Sequence, residues 1–559
     1  MNFHALSHMP QSRDAFHIDR NATVIRFRAA RGDLAKVDLF VKRKYDEKPL
    51  GSIPMTIAFS DTLFDYYHAV IPTDFGRRVY YFELTDNSGD KYCYTENGVQ
   101  KPEEISPGYF PHFQIPFLSE SDIHRVPDKF RNATVYQIFT DRFHTAKPKC
   151  DWTKKPTPFD FFGGDLYGVK DKLNYIKDLG IDCIYFTPIN PSRTNHHYDV
   201  EDYYHVAKEL GGDDAFKAVV DGAHKLGMTV MLDGVFNHCS AANPMFVDVR
   251  EKGRASEYYD WFLIDGDKPQ AEMDGWKCLS CNYQTFANKV AYMPKLNCDN
   301  VKVREFVKDV TVHWMKEFNI DAWRLDVADD IAPALWREVR GAIKGYDNNA
   351  IMIGEDWMDP YAFLQGDVFD GVMNYGFARA ARDYLAYKTA DADVAAERLV
   401  RTYLRTSKPA ADMMLNLIGC HDTHRFLHLC GGDVFSFNAA MAMMFFYDGM
   451  PMVYYGDELP MDGGADPDCR RGFEWNRVGS DTSKLITRLS AMRKGESKDT
   501  VMKISASDGA LVMTRKTGDK TNRLIVNVKA DKAKISGDTV PAKTVYIDID
   551  GEHIEFSAK

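Results

Sequence analysis

The sequence predicts an α/β protein built on a (β/α)8 TIM barrel, with a lobe inserted after strand 3, an N-terminal β-sandwich and a small C-terminal β domain. Three observations carry this expectation. From about residue 126 to 498, short apolar runs of strand character alternate with amphipathic helical stretches, the texture of parallel strands joined by crossover helices. Four of those runs end in acids, amides or histidines: 228–238 (MTVMLDGVFNH), 321–330 (DAWRLDVADD), 351–357 (IMIGEDW) and 415–425 (LNLIGCHDTHR). Barrels of parallel strands place their chemistry at the carboxyl ends of the strands, on one face. On both flanks the texture changes to short alternating strands separated by Gly, Asp and Asn.

Taken in order, residues 1–125 contain runs such as 23–28, 36–42 and 78–84 and read as a small antiparallel sandwich. The segment 102–116, with several prolines and Gly108, suits an extended linker. Eight barrel strands are expected at 135–139, 183–186, 229–232, 322–325, 351–353, 371–373, 414–417 and 452–455, with helical apolar spacing between them at 173–179 and 215–226. Residues 239–298 are too long for a plain loop and hold aromatic clusters, so they form the inserted lobe. An eighth helix at 483–494 closes the barrel domain (126–498), and 499–559 return to alternating strands.

At 559 residues the chain exceeds one compact core, which agrees with several domains. A net charge of −11 argues against nucleic acid or an anionic membrane as partner, while a neutral sugar polymer suits either sign. The first residues, MNFHALSHMPQSRD, have neither the basic start nor the apolar core of a signal peptide, and no run approaches a membrane span. A cytoplasmic location is expected. The ten cysteines lack a framework spacing, so reduced thiols are expected; Cys278 and Cys281 form one CxxC without a second pair at zinc spacing.

In a strand, residues two apart face the same side, so Arg324 and Asp326 point into one space and the cation holds the carboxylate ionised. Glu355 and Asp422 bring two more acids to strand ends. Two carboxyls flanking one bond, plus a third acid, are the equipment of glycoside hydrolysis.

These four segments, in this order and spacing from about Phe139 to Trp475, resemble the signature regions of the alpha-amylase superfamily, glycoside hydrolase family 13. Met293-Pro-Lys-Leu-Asn297 resembles the extra region of its neopullulanase, cyclomaltodextrinase and maltogenic amylase subgroup. The resemblance implies that Asp326 is the nucleophile, Glu355 the general acid and base, and Asp422 the acid that grips two sugar hydroxyls. In a retaining enzyme the first two lie about 5 Å apart, and Glu355 carries a proton at rest. The resemblance also assigns sugar contacts to His238 and His421. Arg324 keeps the nucleophile ionised, and Asp233 and Asn237 hold the loop and the arginine in place. From the loop after the second strand, 195–199 (NHHYD), Tyr198 supplies a stacking ring, with His196 and Asp199 beside it. Asp466 and Arg470 grip the next glucose, and Trp357 and Tyr375 are further platforms.

The sequence departs from the subgroup at Asp329-Asp330, where Asn-Glu is common, and at Asp356 beside Glu355. These acids are expected to shift the pH optimum. Of the calcium site found in many relatives only Gly163 and Asp165 remain, so no metal and no cofactor is expected, with calcium the one candidate. The implied partners are α-glucan oligosaccharides, and a second copy of the chain through the N-terminal domain, which resembles a starch-binding module. The expected activity is hydrolysis of α-1,4 bonds in cyclodextrins, pullulan, maltooligosaccharides and starch, with some transglycosylation. A predominant 4-α-glucanotransferase stays open, because water and a sugar hydroxyl compete for one intermediate. A non-catalytic glucan-binding protein is the alternative from another class, and scaffold relatives of that kind lose one or more of the three acids.

Overall fold

The computed structural model describes residues 1–46, 51–72, 76–105, 111–119, 123–275 and 277–558. Its centre is a closed barrel of eight parallel strands: Val135–Ile138, Cys183–Phe186, Thr229–Gly234, Ala322–Leu325, Ile351–Gly354, Gly371–Asn374, Leu415–Asn416 and Met450–Tyr454. These strands are buried almost throughout, which is why they read as unbroken apolar runs rather than as alternating ones. Alternation appears instead in what each residue packs against. Val135, Cys183, Tyr185, Met231, Ala322, Ile351, Ile353 and Met452 fill the barrel interior, whereas Tyr136, Ile184, Phe186, Val230, Leu232, Trp323 and Leu325 pack against the surrounding helices. The inward series Ala322, Arg324, Asp326 and Ile351, Ile353, Glu355 therefore rises from apolar floor to polar mouth.

Among the helices outside the barrel, Gly212–Lys225, Val301–Phe318, Pro333–Tyr346 and Asp481–Lys494 each bury one face, for example Ala215, Phe216, Val219, Val220 and Ala223 of the first. The insertion after the third strand carries the helix Pro244–Lys252 and the hairpin Ala271–Asp274 with Lys277–Cys281. It returns to the barrel through the bridge His238 to Lys295.

The N-terminal part is a sandwich. One sheet holds Ala15–Asp19, Ala22–Ala30, Phe64–Pro72 and Thr56–Ser60; the other holds Gly51–Pro54, Leu34–Arg43, Arg78–Asp86, Lys91–Thr95 and Gly98–Gln100. Ile25, Phe27, Leu39, Phe82 and Leu84 make its core. The extended linker expected at 102–116 is corrected in part. Pro102–Glu104 is a 3-10 turn, and Phe113–Ile115 pairs with Arg78–Asp86 because Phe113 and Ile115 bury their side chains in the sandwich core. Gly108 lies outside the described residues. At the other end, Val501–Ser507, Ala510–Thr517, Lys520–Asn527, Thr544–Ile549 and Glu552–Ser557 form one antiparallel sheet. Among the described residues, no helix is long and apolar enough to cross a membrane.

Candidate active site

Arg324 is the hub. Register places Asp233 of the third strand directly opposite Arg324 of the fourth, and the guanidinium Nη1 lies 2.8 Å from Asp233 Oδ1 and 2.8 Å from Asp326 Oδ1. Its Nη2 approaches Glu355 Oε2 at 2.9 Å as a charge contact, without the alignment of a hydrogen bond. One planar cation thus holds three carboxyls from three strands, with Arg324 itself fully buried. Tyr185 and Tyr198 donate to Asp233 Oδ2 at 2.7 and 2.9 Å, so Asp233 is saturated by groups that fix Arg324. The pairing of strand ends continues one residue past the ladder: Asp326 N–H donates to the Gly234 carbonyl and Glu355 N–H to the Leu325 carbonyl.

Val327 then turns the chain with φ +46°, a conformation that costs a β-branched residue energy. The turn aims its N–H at Glu355 Oε2, 2.8 Å away, while Trp357 Nε1 donates to Glu355 Oε1 at 3.0 Å. Both oxygens of Glu355 are thereby oriented.

Three carboxyls around one guanidinium would leave net negative charge in a buried site, so the cluster favours uptake of a proton. Burial pushes the Asp326 carboxyl above the usual carboxylate range. Arg324 opposes that shift, and Glu355, Asp233 and Asp422 add to it. Arg324 is thus the cation that draws Asp326 toward its ionised form, against burial and three neighbouring acids. Asp422 behaves oppositely. Burial alone would raise it, but His421 and Arg470 hold it well below the usual range, with His421 Nε2 at 3.0 Å and Arg470 Nη2 at 3.3 Å.

Asp326, Glu355 and Asp422 open together onto one cavity of about 440 Å³, with His196, Tyr198, His238, Trp357, Asp466 and Arg470 in its wall. Arg470 Nη1 meets Asp466 Oδ1 at 2.9 Å. Burial lowers His238 to about 3, so it is a neutral imidazole, and its Nε2 has no protein partner. That nitrogen is available to a hydroxyl. Burial likewise keeps His196 well below its ordinary value, with Arg470 adding to the effect.

Three expected contacts are placed differently. His421 is fully buried and both ring nitrogens face protein groups, Gln137 on one side and Asp422 and Tyr198 on the other; it lies beneath Asp422 and does not reach the cavity. Asp199 accepts from the hydroxyls of Ser192 and Thr194 and ties the loop that carries Tyr198. Tyr375 stacks under Trp357, centroids 3.7 Å apart, and its own face is covered. Each was placed by its motif neighbour, and depth along the barrel axis is what a motif does not give.

Other wall residues were not foreseen: Phe286, Val290 and Tyr292 from the inserted lobe, and Val327. Met293, from the MPKLN segment, also lines the cavity, and Lys295 bridges Asn237 Oδ1 (2.6 Å) and Asp330 Oδ2 (2.7 Å). Asp329 faces the cavity as well, and burial with the neighbouring Asp356 and Glu355 raises its carboxyl. Asp165 caps the helix Leu166–Asp171 and accepts from Thr145, and Gly163 donates its N–H to Asp141.

The arrangement equips one cavity to attack, protonate and grip a single glycosidic linkage. The family description "Alpha amylase, catalytic domain" matches residues 137–523, and "Alpha amylase, N-terminal ig-like domain" matches residues 1–119. The chain is 36% identical over 555 residues to a cyclomaltodextrinase of Geobacillus thermopakistaniensis, covering 96% of this chain and 92% of that one. It is 37% identical over 485 residues to neopullulanase 2 of Thermoactinomyces vulgaris, covering 85% and 81%. A solved cyclomaltodextrinase structure superposes with a TM-score of 0.89 at 30% identity, covering 100% of this chain and 98% of that one. A closed barrel with its acids at the strand ends, matched over most of its length by these relatives, places the chain in the alpha-amylase family of glycoside hydrolases.

Proposed function

We propose that the chain hydrolyses α-1,4-glucosidic bonds of cyclodextrins, pullulan and maltooligosaccharides by double displacement with retention, and transfers part of the glycosyl intermediate to sugar acceptors. The observation that carries this reading is the single guanidinium of Arg324 contacting both Asp326 and Glu355. It keeps a nucleophile and a proton donor as neighbours on one cavity. In the first step, with the proton shared by the cluster on Glu355, the Asp326 carboxylate attacks the anomeric carbon while Glu355 gives that proton to the leaving oxygen. Arg324 then stabilises the remaining charge on Glu355, and the Val327 and Trp357 N–H groups hold that carboxylate for its second task. Glu355 takes a proton from water or from a sugar hydroxyl, whose oxygen displaces Asp326. Asp422, kept ionised by His421 and Arg470, accepts from the sugar hydroxyls throughout.

The names of the relatives, cyclomaltodextrinase and neopullulanase, support the substrate class. The reading includes no resident metal, because the Asp165 carboxylate is engaged in capping and in the Thr145 bond; chelator treatment is expected to leave activity unchanged. It includes a cytoplasmic location, supported by ten free cysteines. A homodimer through the N-terminal domain is proposed on the resemblance alone.

The test is product analysis over time on cyclodextrin, pullulan, starch and maltotriose, for the native chain and for Asp326→Ala. Cyclodextrin turnover faster than starch, lowered about 10⁴-fold or more in the variant, is the expected outcome. A well-folded native chain that turns over none of the four would overturn the reading.

A further inference from the structure

The hairpin of the inserted lobe carries two thiols that take no part in the chemistry proposed above, Cys278 and Cys281 on the strand Lys277–Cys281. Residues three apart in a regular strand face opposite sides. Here a bulge intervenes. Cys278 stands opposite Met273 and Cys281 opposite Ala271, with Leu279 as the extra residue between Cys278 and Ser280. Met273 and Ala271 share one face of their own strand, so both cysteines point to the same side of the hairpin. We propose that Cys278 and Cys281 are a reversible disulfide site, closed by a low-molecular-weight disulfide and reopened by thiols, whose closure moves the lobe wall of the catalytic cavity.

Their surroundings couple the two thiols to each other and to that wall. Cys278 is 6% exposed, and Cys281 is half-buried. Burial and the neighbouring Cys281 thiol raise Cys278, while Lys289 and the Ala291 N–H, which hydrogen-bonds to its sulfur, oppose that shift. Ala291 stands between Val290 and Tyr292, both of which line the catalytic cavity. Its carbonyl accepts from Tyr283 Oη at 2.8 Å, and the Cys281 thiol donates to the Tyr283 carbonyl at 3.4 Å. The turn that leads into this wall is strained: Ala287, Asn288 and Lys289 have φ of +47°, +52° and +67°, left-handed values in three successive residues that carry side chains. A costly conformation of this kind persists only while its contacts hold it.

Residues that oppose alternate positions of one strand lie about 6.6 Å apart along it, near the upper end of the Cα separation that a disulfide spans. Closure therefore draws the bulge in and takes the Cys278 sulfur away from the Ala291 N–H. Cys281 is the more exposed sulfur and meets the oxidant. As a thiolate it attacks one sulfur of the small disulfide, which forms a mixed disulfide and expels a small thiolate that takes up the proton Cys281 gave up. Cys278 then loses its proton and attacks the Cys281 sulfur, and the second small thiolate leaves and takes that proton. Two protein thiols become one disulfide, and one small disulfide becomes two thiols. Two thiolates are half of a zinc site, and among the described residues no His, Asp, Glu or further Cys completes a ligand group with them.

The test treats the full-length protein with glutathione disulfide and then with dithiothreitol, with alkylation and peptide mass mapping at each stage. The expected result is Cys278 joined to Cys281 in one peptide lighter by two hydrogens, the other cysteines still alkylated after unfolding, and the pair reopened by dithiothreitol. On cyclodextrin the oxidised protein is expected to show KM raised about threefold or more with kcat within about twofold, and Cys281→Ser to show neither the bond nor the change in KM. Thiols that stay free in glutathione disulfide, an adduct left on Cys281 alone, or zinc held by the pair in the purified protein would overturn the site. An unchanged KM in the oxidised protein overturns its coupling to the cavity. The change in KM rests on the glucan reading above and the bond does not: a protein that forms the bond but turns over no glucan supports the disulfide site and overturns the glucan reading.

Discussion

Asp422 and Asp326 are both carboxylates on one cavity, and their surroundings drive them apart. Because the Asp422 carboxyl in the folded chain lies well below its ordinary value, its ionised form persists as pH falls past the point where an unfolded aspartate takes a proton. The acid limb of the rate profile therefore does not come from Asp422. Asp422→Asn is expected to lower kcat/KM on maltotriose by about 10²- to 10³-fold at every pH, with the acid limb in the same place; a limb that moves would assign that titration to Asp422. The identities of Asp326, Glu355 and Asp422 were legible in the sequence because each ends an apolar run, and strand ends are where this fold exposes side chains. The burial of His421 was not, since it precedes Asp422 by one residue in a turn, and adjacent turn residues take different depths. Nor was the sharing of Arg324, which depends on strand register and so on the whole barrel.

At the scale of elements, the segment Met293–Asn297 shows how a motif acts through its neighbours. Lys295 is two residues past Met293 in the cavity wall, and its ammonium ties the loop after the third strand to the one after the fourth. Lys295→Met keeps the aliphatic stem and loses both charge-assisted bonds. It is expected to cost about 1–3 kcal/mol of stability in urea titration and to lower kcat more than it raises KM, because it disturbs Asp326 and His238 rather than binding sugar directly. A rise in KM alone would make Lys295 a ligand contact.

The sandwich has its own sensitivity, to acid. His8 is buried between the Arg26 carbonyl (2.7 Å) and the Tyr80 hydroxyl (2.8 Å), and burial lowers it to about 4. A histidine depressed in the folded state contributes stability that is present above its unfolded value near 6.5 and lost as pH falls toward 4. Between pH 7 and pH 5 the sandwich is expected to lose about 2 kcal/mol on this account, and His8→Gln to flatten that slope in urea titrations followed at the two pH values. The short strand Phe113–Ile115 was hidden by its flanking prolines, which stop a ladder at either end without preventing three residues from pairing. Barrel strands were easier to read, since burial on both sides leaves no polar residue to interrupt them.

For the whole molecule, the sequence separates three textures but does not say how they are joined, because the joining groups are single charged residues in otherwise ordinary runs. The helix Val434–Phe446 is apolar on all sides, and the fold supplies the reason: the barrel covers one side and the C-terminal sheet the other. Arg515, from the strand Ala510–Thr517, reaches past that helix. Its Nη1 lies 2.8 Å from Asp448 at the entry to the eighth barrel strand, and its Nε and Nη2 meet the two oxygens of Glu496 at 2.6 and 2.8 Å. Burial would raise Asp448, but Lys408, Arg515 and Arg493 hold it at about 2, so this link is intact at every pH above the ordinary aspartate range and weakens only in strong acid. Arg515 is 2% exposed, and removing one partner of a buried pair strands the others. Arg515→Met is therefore expected to cost about 3–5 kcal/mol and to divide one calorimetric unfolding transition into two, the C-terminal sheet melting before the barrel. Adding Asp448→Asn should return part of the loss, because the stranded carboxylate is then gone. A single undivided transition with a loss below about 1 kcal/mol would mean that the apolar cover of Val434–Phe446, rather than the ion network, joins the two parts.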